Sequence, residues 1–394
     1  MRRSIAGLVL AVITVVLAAE ASLGFEDCPP RPEPAAEARI ATVGADGRDF
    51  ATIGEAIAAV PAGSVLELAA EVFTEGGIVL DKDLFLRGSS GGATIVQPSG
   101  SAETSTERVF SVAEGATVVL SDLTLRYGNP QGDCPRGGGA VINYGTLWMN
   151  RCILSDNLGQ CGGGLLNRDG AVYAFDCMIL RNRAHGGINI TGVQGMGAGG
   201  GIKNAVGAMH LERCTIADNV SRKKGGAIKN CCLATLTMIN CTVVGNECKT
   251  GGIHLNGPAL IDHCTIAFNT APLSYGAGVY VDSPSVIRNS LIAHNSLGDV
   301  AVETESDGAL ARFENIWIGN DRTGVGTFSG DPLLGPLQDN GGPTWTCLLL
   351  PGSGAIDAAV VFGDGPSEDQ RGNVRVRDPA PDLGAVEMPP DAAD

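Results

Sequence analysis

The sequence has 394 residues, of which 56 are glycine and only 5% are aromatic, and its formal net charge is −16. This composition indicates many tight turns and few large core side chains. A strongly acidic surface repels phosphate backbones, so nucleic acid is not an expected partner, and it also repels acidic polysaccharide unless a cation bridges the two.

The N-terminal segment has the features of a secretory signal peptide. Arg2 and Arg3 precede an apolar run from Ile5 to Ala19, and Ala19-Glu20-Ala21 forms a small-x-small cleavage site. The run is short for a membrane span, and no later segment approaches the roughly 20 apolar residues that a spanning helix requires. The sequence predicts a signal peptide over residues 1–21, a linker over 22–40 and a secreted protein, extracellular, cell-surface or periplasmic.

A short amphipathic helix is predicted at the start of the folded region. Its apolar residues Phe50, Ile53, Ala56, Ile57 and Val60 follow helical spacing, and the following Pro-Ala-Gly ends it. Four strand-like phrases come next, SVLELA, GIVLDK, LFLRG and ATIVQ. The helix is suited to cover the first coil of a repetitive fold.

The central region repeats one phrase. Eight copies align on Leu123, Cys152, Cys177, Cys214, Cys241, Cys264, Ser290 and Ile316. In every copy the residues three positions before and two positions after the aligned residue are apolar, which is the alternation of a short strand with one buried face. Such repeats, without helical patterns between them, predict a parallel β-helix over residues 41–329, in which each coil buries its inward residues by stacking on its neighbours.

Asparagines mark two further columns of the repeat. Because asparagine tolerates the left-handed backbone conformation and bonds to nearby main chain, a column of asparagines indicates one turn repeated from coil to coil. The first column, five residues after the aligned position, contains Asn157, Asn182, Asn219, Asn246, Asn269 and Asn295. The second column ends a glycine-led phrase and contains Asn143, Asn167, Asn204, Asn230 and Asn256.

The repeated cysteines are predicted to form a ladder of free thiols inside the solenoid. The ladder contains Cys152, Cys177, Cys214, Cys241 and Cys264. Neighbours in register would have parallel side chains about 4.8 Å apart, outside the usual disulfide Cβ spacing of about 3.5 to 4.5 Å. Cys134 and Cys161 precede triple-glycine bends in consecutive coils, and they are the predicted disulfide pair.

Two regions carry a resemblance to known families. From Asp46-Gly47 through the helix to the first strands, the sequence resembles the pectate lyase-like superfamily of right-handed parallel β-helices. Residues 330–387 resemble the choice-of-anchor Q region of secreted bacterial β-helix proteins, through Asp331-Pro332-Leu333-Leu334, Asp339-Asn340-Gly341-Gly342, Ala355-Ile356-Asp357, Asp369-Gln370-Arg371-Gly372 and Asp382-Leu383-Gly384-Ala385. We therefore expect an all-β, single-stranded right-handed parallel β-helix with a short N-terminal capping helix, an irregular C-terminal cap and a tail over 388–394.

The resemblance implies lyase, hydrolase or esterase chemistry. A lyase needs carboxylates that bind Ca²⁺ and a basic side chain that takes the proton beside the uronate, whereas a hydrolase needs two or three carboxylates in register on neighbouring strands. The candidate catalytic patch contains Glu212, Arg213, Asp262, His263 and Arg288. The same residues are equally typical of a solvated face of paired charges. No cofactor or metal is expected, except Ca²⁺ if the protein is a lyase.

Two functions therefore remain open. The preferred hypothesis is a secreted or surface-associated binding, adhesion or structural protein whose partner is polysaccharide or another cell-surface component. The alternative is a polysaccharide lyase or glycoside hydrolase. Aromatic residues that could stack on a sugar are scattered along the sequence, and they are Tyr127, Tyr144, Trp148, Tyr173, Tyr275, Tyr280 and Trp317.

Overall fold

The computed structural model describes residues 28–131, 137–186, 197–303, 311–320, 326–375 and 379–389. Two units are distinguished, Met1–Pro30 and Arg31–Asp394. The first contains only residues 28–30 within the described ranges, so the predicted signal peptide lies outside them, and the following paragraphs concern the second unit. Within the described ranges, no helix combines the length and the apolar character needed to cross a membrane.

The second unit is a parallel β-helix whose strands stack into three long ladders. Ladder I contains Ile40–Val43, Ser64–Leu68, Leu84–Arg87, Thr117–Ser121, Thr146–Asn150, Gly170–Phe175, Ile202–Glu212, Ile228–Ile239, Ala259–Asp262, Ser285–Arg288 and Arg312–Glu314. Ladder II contains Val72–Thr74, Thr94–Gln97, Leu123–Arg126, Ile153–Ser155, Met178–Leu180, Thr215–Ala217, Thr242–Val244, Thr265–Ala267, Leu291–Ala293, Trp317–Ile318 and Phe328–Ser329.

Ladder III completes each coil. It contains Ile78–Leu80, Phe110–Val112, Val141–Asn143, Leu165–Asn167, Ile253–Leu255, Val279–Val281 and Val300–Val302. Between Leu165–Asn167 and Ile253–Leu255, ladder III is continued by the first residues of two long strands, Ile202–Glu212 and Ile228–Ile239. Because the later residues of these two strands belong to ladder I, they join ladders I and III into one sheet. A short fourth ladder contains Leu158–Gly159, Arg183–Ala184 and Val220–Ser221. The parallel β-helix predicted from the repeats is confirmed.

A single α-helix of the described residues, α1 (Ile53–Ala59), covers the first coil, and a 3-10 helix follows at Ser90–Gly92. Thr52 caps its N-terminus by accepting a hydrogen bond from the Glu55 amide. At the other end Lys82 Nζ donates to the carbonyl oxygens of Ile57 and Val60, at 2.8 and 3.0 Å. The buried face of α1 packs against the core as the apolar spacing predicts.

Ladder I passes into ladder II through one residue in the left-handed conformation, with φ between 46° and 58°. These residues are Asp122, Arg151, Asp176, Arg213, Asn240, His263, Asn289 and Asn315. The aligned repeat residue follows directly and points into the core. One such residue is enough to turn the chain, so ladder II begins in the same register in every coil.

The first asparagine column has a different role from the predicted one. In its six turns the left-handed residue is the one before the asparagine, for example Asp156 and Asp218. The asparagines are almost fully buried and stack. Each Nδ2 donates to the next Oδ1 at 2.9 to 3.0 Å, and each backbone amide donates to that same oxygen. The amide side chain replaces the backbone partners that an inward turn would otherwise lose.

The second asparagine column forms an equivalent amide ladder from Asn143 through Asn167 and Asn204 to Asn230, with each Nδ2 2.9 Å from the next Oδ1. The ladder ends there, because Leu255 occupies the register position of Asn230 in the next coil. Asn256 lies one residue further along.

The five cysteines of the repeat are completely buried thiols. Their sulfurs lie close to backbone groups of adjacent coils, as where the Cys152 amide donates to Cys177 Sγ at 3.4 Å. Burial raises the pKa of the Cys214 and Cys241 thiols well above the usual range, so both are protonated and chemically inert. Of the predicted disulfide pair, Cys161 is fully buried and Cys134 lies outside the described residues.

The C-terminal segment, from Gly330 onward, is irregular and lies against the outward face of ladder II. Thr215 Oγ1 donates to the Trp345 carbonyl at 2.5 Å, and Thr242 Oγ1 to Gln370 Oε1 at 2.6 Å. In the last coils, outward apolar residues of ladder II pack with Leu349, Ala355 and Leu383. The segment therefore covers the sides of several successive coils as well as the last coil of the β-helix. Within the segment, Asp369 and Arg371 form an ion pair at 3.1 Å.

Candidate functional site

The predicted catalytic patch lies along the end of ladder I. Glu212, Ile239, Asp262 and Arg288 occupy one register row on four successive strands. Arg213 and His263 are the left-handed turn residues that follow two of these strands. The repeat therefore brings these residues to one end of neighbouring strands, and the question is whether the side chains form one site.

The Glu212 end of the patch is an internally paired network. Glu212 contacts the Arg213 guanidinium, and its other oxygen lies 3.4 Å from His210 Nε2. Arg213 also pairs with Asp176, Nε to Oδ1, at 2.8 Å. Burial alone would raise the pKa of Glu212, but the hydrogen bond from His210 and the charge of Arg213 lower it below its usual value. Glu212 is held as an anion, which does not suit a general acid.

The Asp262 end is a separate and deeply buried network. Asp262 is 1% exposed, accepts from His263 Nδ1 at 2.7 Å and pairs with Arg288 at 3.0 Å. The C-terminal segment closes over it, since Asp364 binds Arg288 at 2.9 Å and the Phe362 ring lies 4.7 Å from the guanidinium carbon. Burial lowers the pKa of His263, and the imidazole is therefore neutral.

The five patch residues thus fall into two sets of paired charges, and one set lies beneath the C-terminal segment. No open cleft among the described pockets joins the two carboxylates. In the described parts of the chain, no group of three or more His, Cys, Asp or Glu side chains is arranged to hold a metal ion. The geometry matches paired charges that stabilise the fold better than a hydrolase site.

Stacking brings some of the scattered aromatic residues together. On ladder I the ring centroids of Trp148 and Tyr173 lie 4.3 Å apart, and Phe175 extends the stack toward His210. Trp148 is only 3% exposed, so this stack is mainly packing. On ladder III the rings of His254 and Tyr280 stack at 4.7 Å.

A second site, which the sequence analysis did not identify, lies on the outward face of ladder III. The chain contains only six lysines. Five of them line one pocket of about 290 Å³ together with Ala198, Cys231, Thr250 and Leu273; they are Lys203, Lys223, Lys224, Lys229 and Lys249. We call this cavity the lysine pocket. None of the described residues that line it is acidic.

The stacking of coils produces this concentration of charge. Lys203 and Lys229 occupy the same outward row on adjacent strands, and His254 and Tyr280 continue the row. Lys224 and Lys249 lie in the bends that lead into ladder III, where both are exposed. The pocket is therefore cationic although the whole chain carries a net charge of −16.

Lys229 is the lysine of the pocket whose ammonium group lacks a hydrogen-bond partner among the described residues. It is 7% exposed. Burial, together with the charges of Lys224 and Lys203, lowers its pKa to about 8, although Cys231 and Asp282 act in the opposite direction. A buried ammonium without a counter-ion costs folding free energy. The pocket is thus arranged to receive negative charge.

His254 responds to the same environment. It is completely buried, and its Nε2 lies 3.5 Å from Lys224 Nζ. Burial and the charges of Lys229 and Lys224 lower its pKa to about 3. The neutral imidazole packs between Tyr280 and Lys224 and adds no positive charge to the pocket.

A signal for this site was present in the sequence. Five lysines within residues 203–249, in a chain with one lysine elsewhere, make an uneven distribution. The phrases IKN, RKKGG and CKTGG place them at equivalent steps of consecutive coils. Strand alternation would have put Lys203 and Lys229, the two lysines within strands, on one outward face.

The sequence matches no model of a known protein family, and no curated protein matches it. Solved structures do resemble the fold. Pectate lyase Pel9A has a TM-score of 0.50 at 14% identity, over 89% of this chain and 96% of that one. The pectin methylesterase from Aspergillus niger has a TM-score of 0.38 at 16% identity, over 78% of this chain and 92% of that one.

Pectin methylesterase PemA from Erwinia chrysanthemi has a TM-score of 0.30 at 14% identity, over 82% of this chain and 91% of that one. These proteins are parallel β-helices, and the likeness to Pel9A supports the same fold for this chain. At such identities the comparison concerns the fold. The choice-of-anchor Q resemblance of the C-terminal segment stays a prediction.

Proposed function

We propose that this protein binds acidic polysaccharide at the lysine pocket. The observation that carries the proposal is Lys229, an almost fully buried ammonium among four other lysines that has no hydrogen-bond partner in the described part of the chain. A carboxylate in the pocket would supply the missing counter-charge. The lysines take the role of the bridging cation that an acidic chain would otherwise need to approach an acidic polymer.

Two further features support a saccharide. The half-buried Tyr280, which stacks on the completely buried His254, lies in the same row as Lys203 and Lys229, and an aromatic ring beside cations suits a charged sugar ring. Pel9A, the β-helix with the TM-score of 0.50, is named for its action on pectate, an acidic polysaccharide. With the predicted signal peptide, the protein would meet such a polymer outside the cytoplasm.

Calorimetric titration with polygalacturonate tests the proposal. The double variant Lys223→Gln/Lys224→Gln removes two charges from the pocket, and Arg39→Gln/Arg87→Gln removes two exposed charges elsewhere. We expect binding to weaken about tenfold or more in the lysine variant, a loss of about 1.4 kcal/mol, and to weaken with added salt. Equal effects of the two variants, or no binding by the wild type, would contradict the proposal.

A second function, β-elimination of the bound polymer, is favoured by one specific observation. The pKa of Lys229 is about 8, and a general base works best when its pKa lies near the operating pH. Neutral Lys229 would take the proton from the carbon that carries the uronate carboxylate, and the electrons of that C–H bond would form a C=C bond to the next carbon. The glycosidic C–O bond of that next carbon would break, and its oxygen would leave with a proton from water as the hydroxyl of the other fragment. Unsaturated ends released by the wild type but not by Lys229→Arg would establish this activity. Retention of intact polymer would leave a binding protein.

A further inference from the structure

The lysine pocket also has the properties of a nucleophilic amine site. Lys229 Nζ is buried and has no hydrogen-bond partner among the described residues, so its lone pair is not engaged when the amine is neutral. Lys203 and Lys224, which carry like charge, line the same pocket. Desolvation and neighbouring cations are the two conditions that activate a lysine toward carbonyl groups.

We propose that Lys229 captures the carbonyl group of a small anionic aldehyde or keto acid as an imine. The nitrogen lone pair forms the C–N bond while the carbonyl π electrons move to oxygen. That oxygen then leaves as water with the two protons that the nitrogen loses. Neither an oxidant nor a reductant is required. The attraction of the anion rests on the proposed function, whereas the covalent step goes beyond it.

The pocket limits the class of compound. Its volume of about 290 Å³ suits a small acid better than a bulky one, and its four other lysines select a negative charge on the ligand. Glyoxylate, pyruvate and the open-chain reducing end of a uronic acid all combine a carbonyl group with a carboxylate. A neutral aldehyde lacks the second feature and gains nothing from the surrounding ammonium groups.

The charges around Lys229 define the pH range of the reaction. Burial and the charges of Lys224 and Lys203 favour the neutral amine, while Cys231 and Asp282 oppose them, and the resulting pKa is about 8. Half of the Lys229 side chains are therefore neutral near pH 8, whereas an exposed lysine is mostly neutral only above about pH 10.4. The rate of capture should level off near pH 8 at Lys229 and continue to rise at exposed lysines.

Reductive trapping tests the proposal with the full chain. The protein is incubated with glyoxylate and cyanoborohydride at pH 7, and peptide masses report which of the six lysines gains a carboxymethyl group. We expect Lys229 to be labelled about tenfold faster than exposed Lys249, because more of it is neutral, and faster with glyoxylate than with neutral glycolaldehyde. Faster labelling of Lys249 or Lys82, or equal labelling of all, would overturn the proposal.

Two controls separate the possible outcomes. Lys229→Arg keeps the charge but removes the nucleophilic amine, so it should lose the fast label. Cys231, which lines the same pocket, forms only a hemithioacetal with an aldehyde, and hydride does not trap that adduct. Labelling of Lys229 without polymer binding would refute the proposed function alone, whereas polymer binding without labelling would refute the imine alone.

Discussion

Two outward faces of this β-helix carry charged residues in register, and they differ in how those charges are satisfied. The patch on ladder I, from Glu212 to Arg288, pairs every carboxylate with a neighbouring cation, and its buried half is closed by the C-terminal segment. The lysine pocket on ladder III places five like charges together, with Lys229 unpartnered among the described residues. Paired charges complete the fold, whereas the unpartnered charge of Lys229 indicates a ligand.

The largest expected effect concerns the paired face. Asp262→Ala removes the carboxylate that binds His263 and leaves Arg288 paired only with the half-exposed Asp364, so it should lower the free energy of unfolding by about 3 to 5 kcal/mol. Urea denaturation followed by circular dichroism measures this loss. If Asp262→Ala is as stable as the wild type, the network does not stabilise the fold as described.

A substitution in the lysine pocket should change the free energy of unfolding in the opposite direction. Lys229→Met removes a buried charge that lacks a counter-ion, so it should raise the free energy of unfolding at pH 7 by about 1 to 3 kcal/mol, while binding of polygalacturonate is lost. The same denaturation experiment measures the gain. A destabilised Lys229→Met protein would show that Lys229 has a structural partner, and the comparison between the two faces would fail.

The pH dependence sharpens that prediction. The pKa of Lys229 is about 8 in the folded protein against 10.5 when unperturbed. Between these values the unfolded chain holds a proton that the folded chain has released, so wild-type stability rises with pH across this interval. The advantage of Lys229→Met should therefore be complete below about pH 8 and vanish by about pH 10.5. A difference in stability that is constant over this range would contradict the account.

The smallest effect is expected at the half-buried end of the patch. Glu212→Gln leaves Arg213 paired with Asp176, so stability should change by less than about 1 kcal/mol. The variant should also bind polygalacturonate as the wild type does. Loss of polymer binding in Glu212→Gln would move the ligand site from ladder III to ladder I.

The repeats allowed most of the fold to be predicted. A buried residue at each aligned position fixes the register, because a slip of one residue would turn every inward side chain outward. The same logic placed Glu212, Asp262 and Arg288 in one row. It could not show that Phe362 and Asp364 cover that row, because the C-terminal segment does not repeat and its path along ladder II depends on long-range packing.

The asparagine column shows a different limit. Its position in a turn was correct, but the left-handed residue is the preceding one, such as Asp156. The spacing alone does not distinguish an asparagine that adopts the left-handed conformation from one whose side chain bonds to the next coil. The lysine pocket was overlooked because each lysine, taken singly in its repeat, looks like an ordinary solvated residue, and only stacking brings the five together.

The central claim is that Lys229 is held in the pocket without a counter-ion until an anion binds. Since the chain has six lysines, NMR of lysine amines labelled with ¹⁵N can follow each titration, with Lys229→Arg identifying its signal. We predict one amine that titrates near pH 8 and moves toward the ordinary value, about 10.4, when oligogalacturonate is added. Six amines with ordinary pKa values, unchanged by the ligand, would contradict the account.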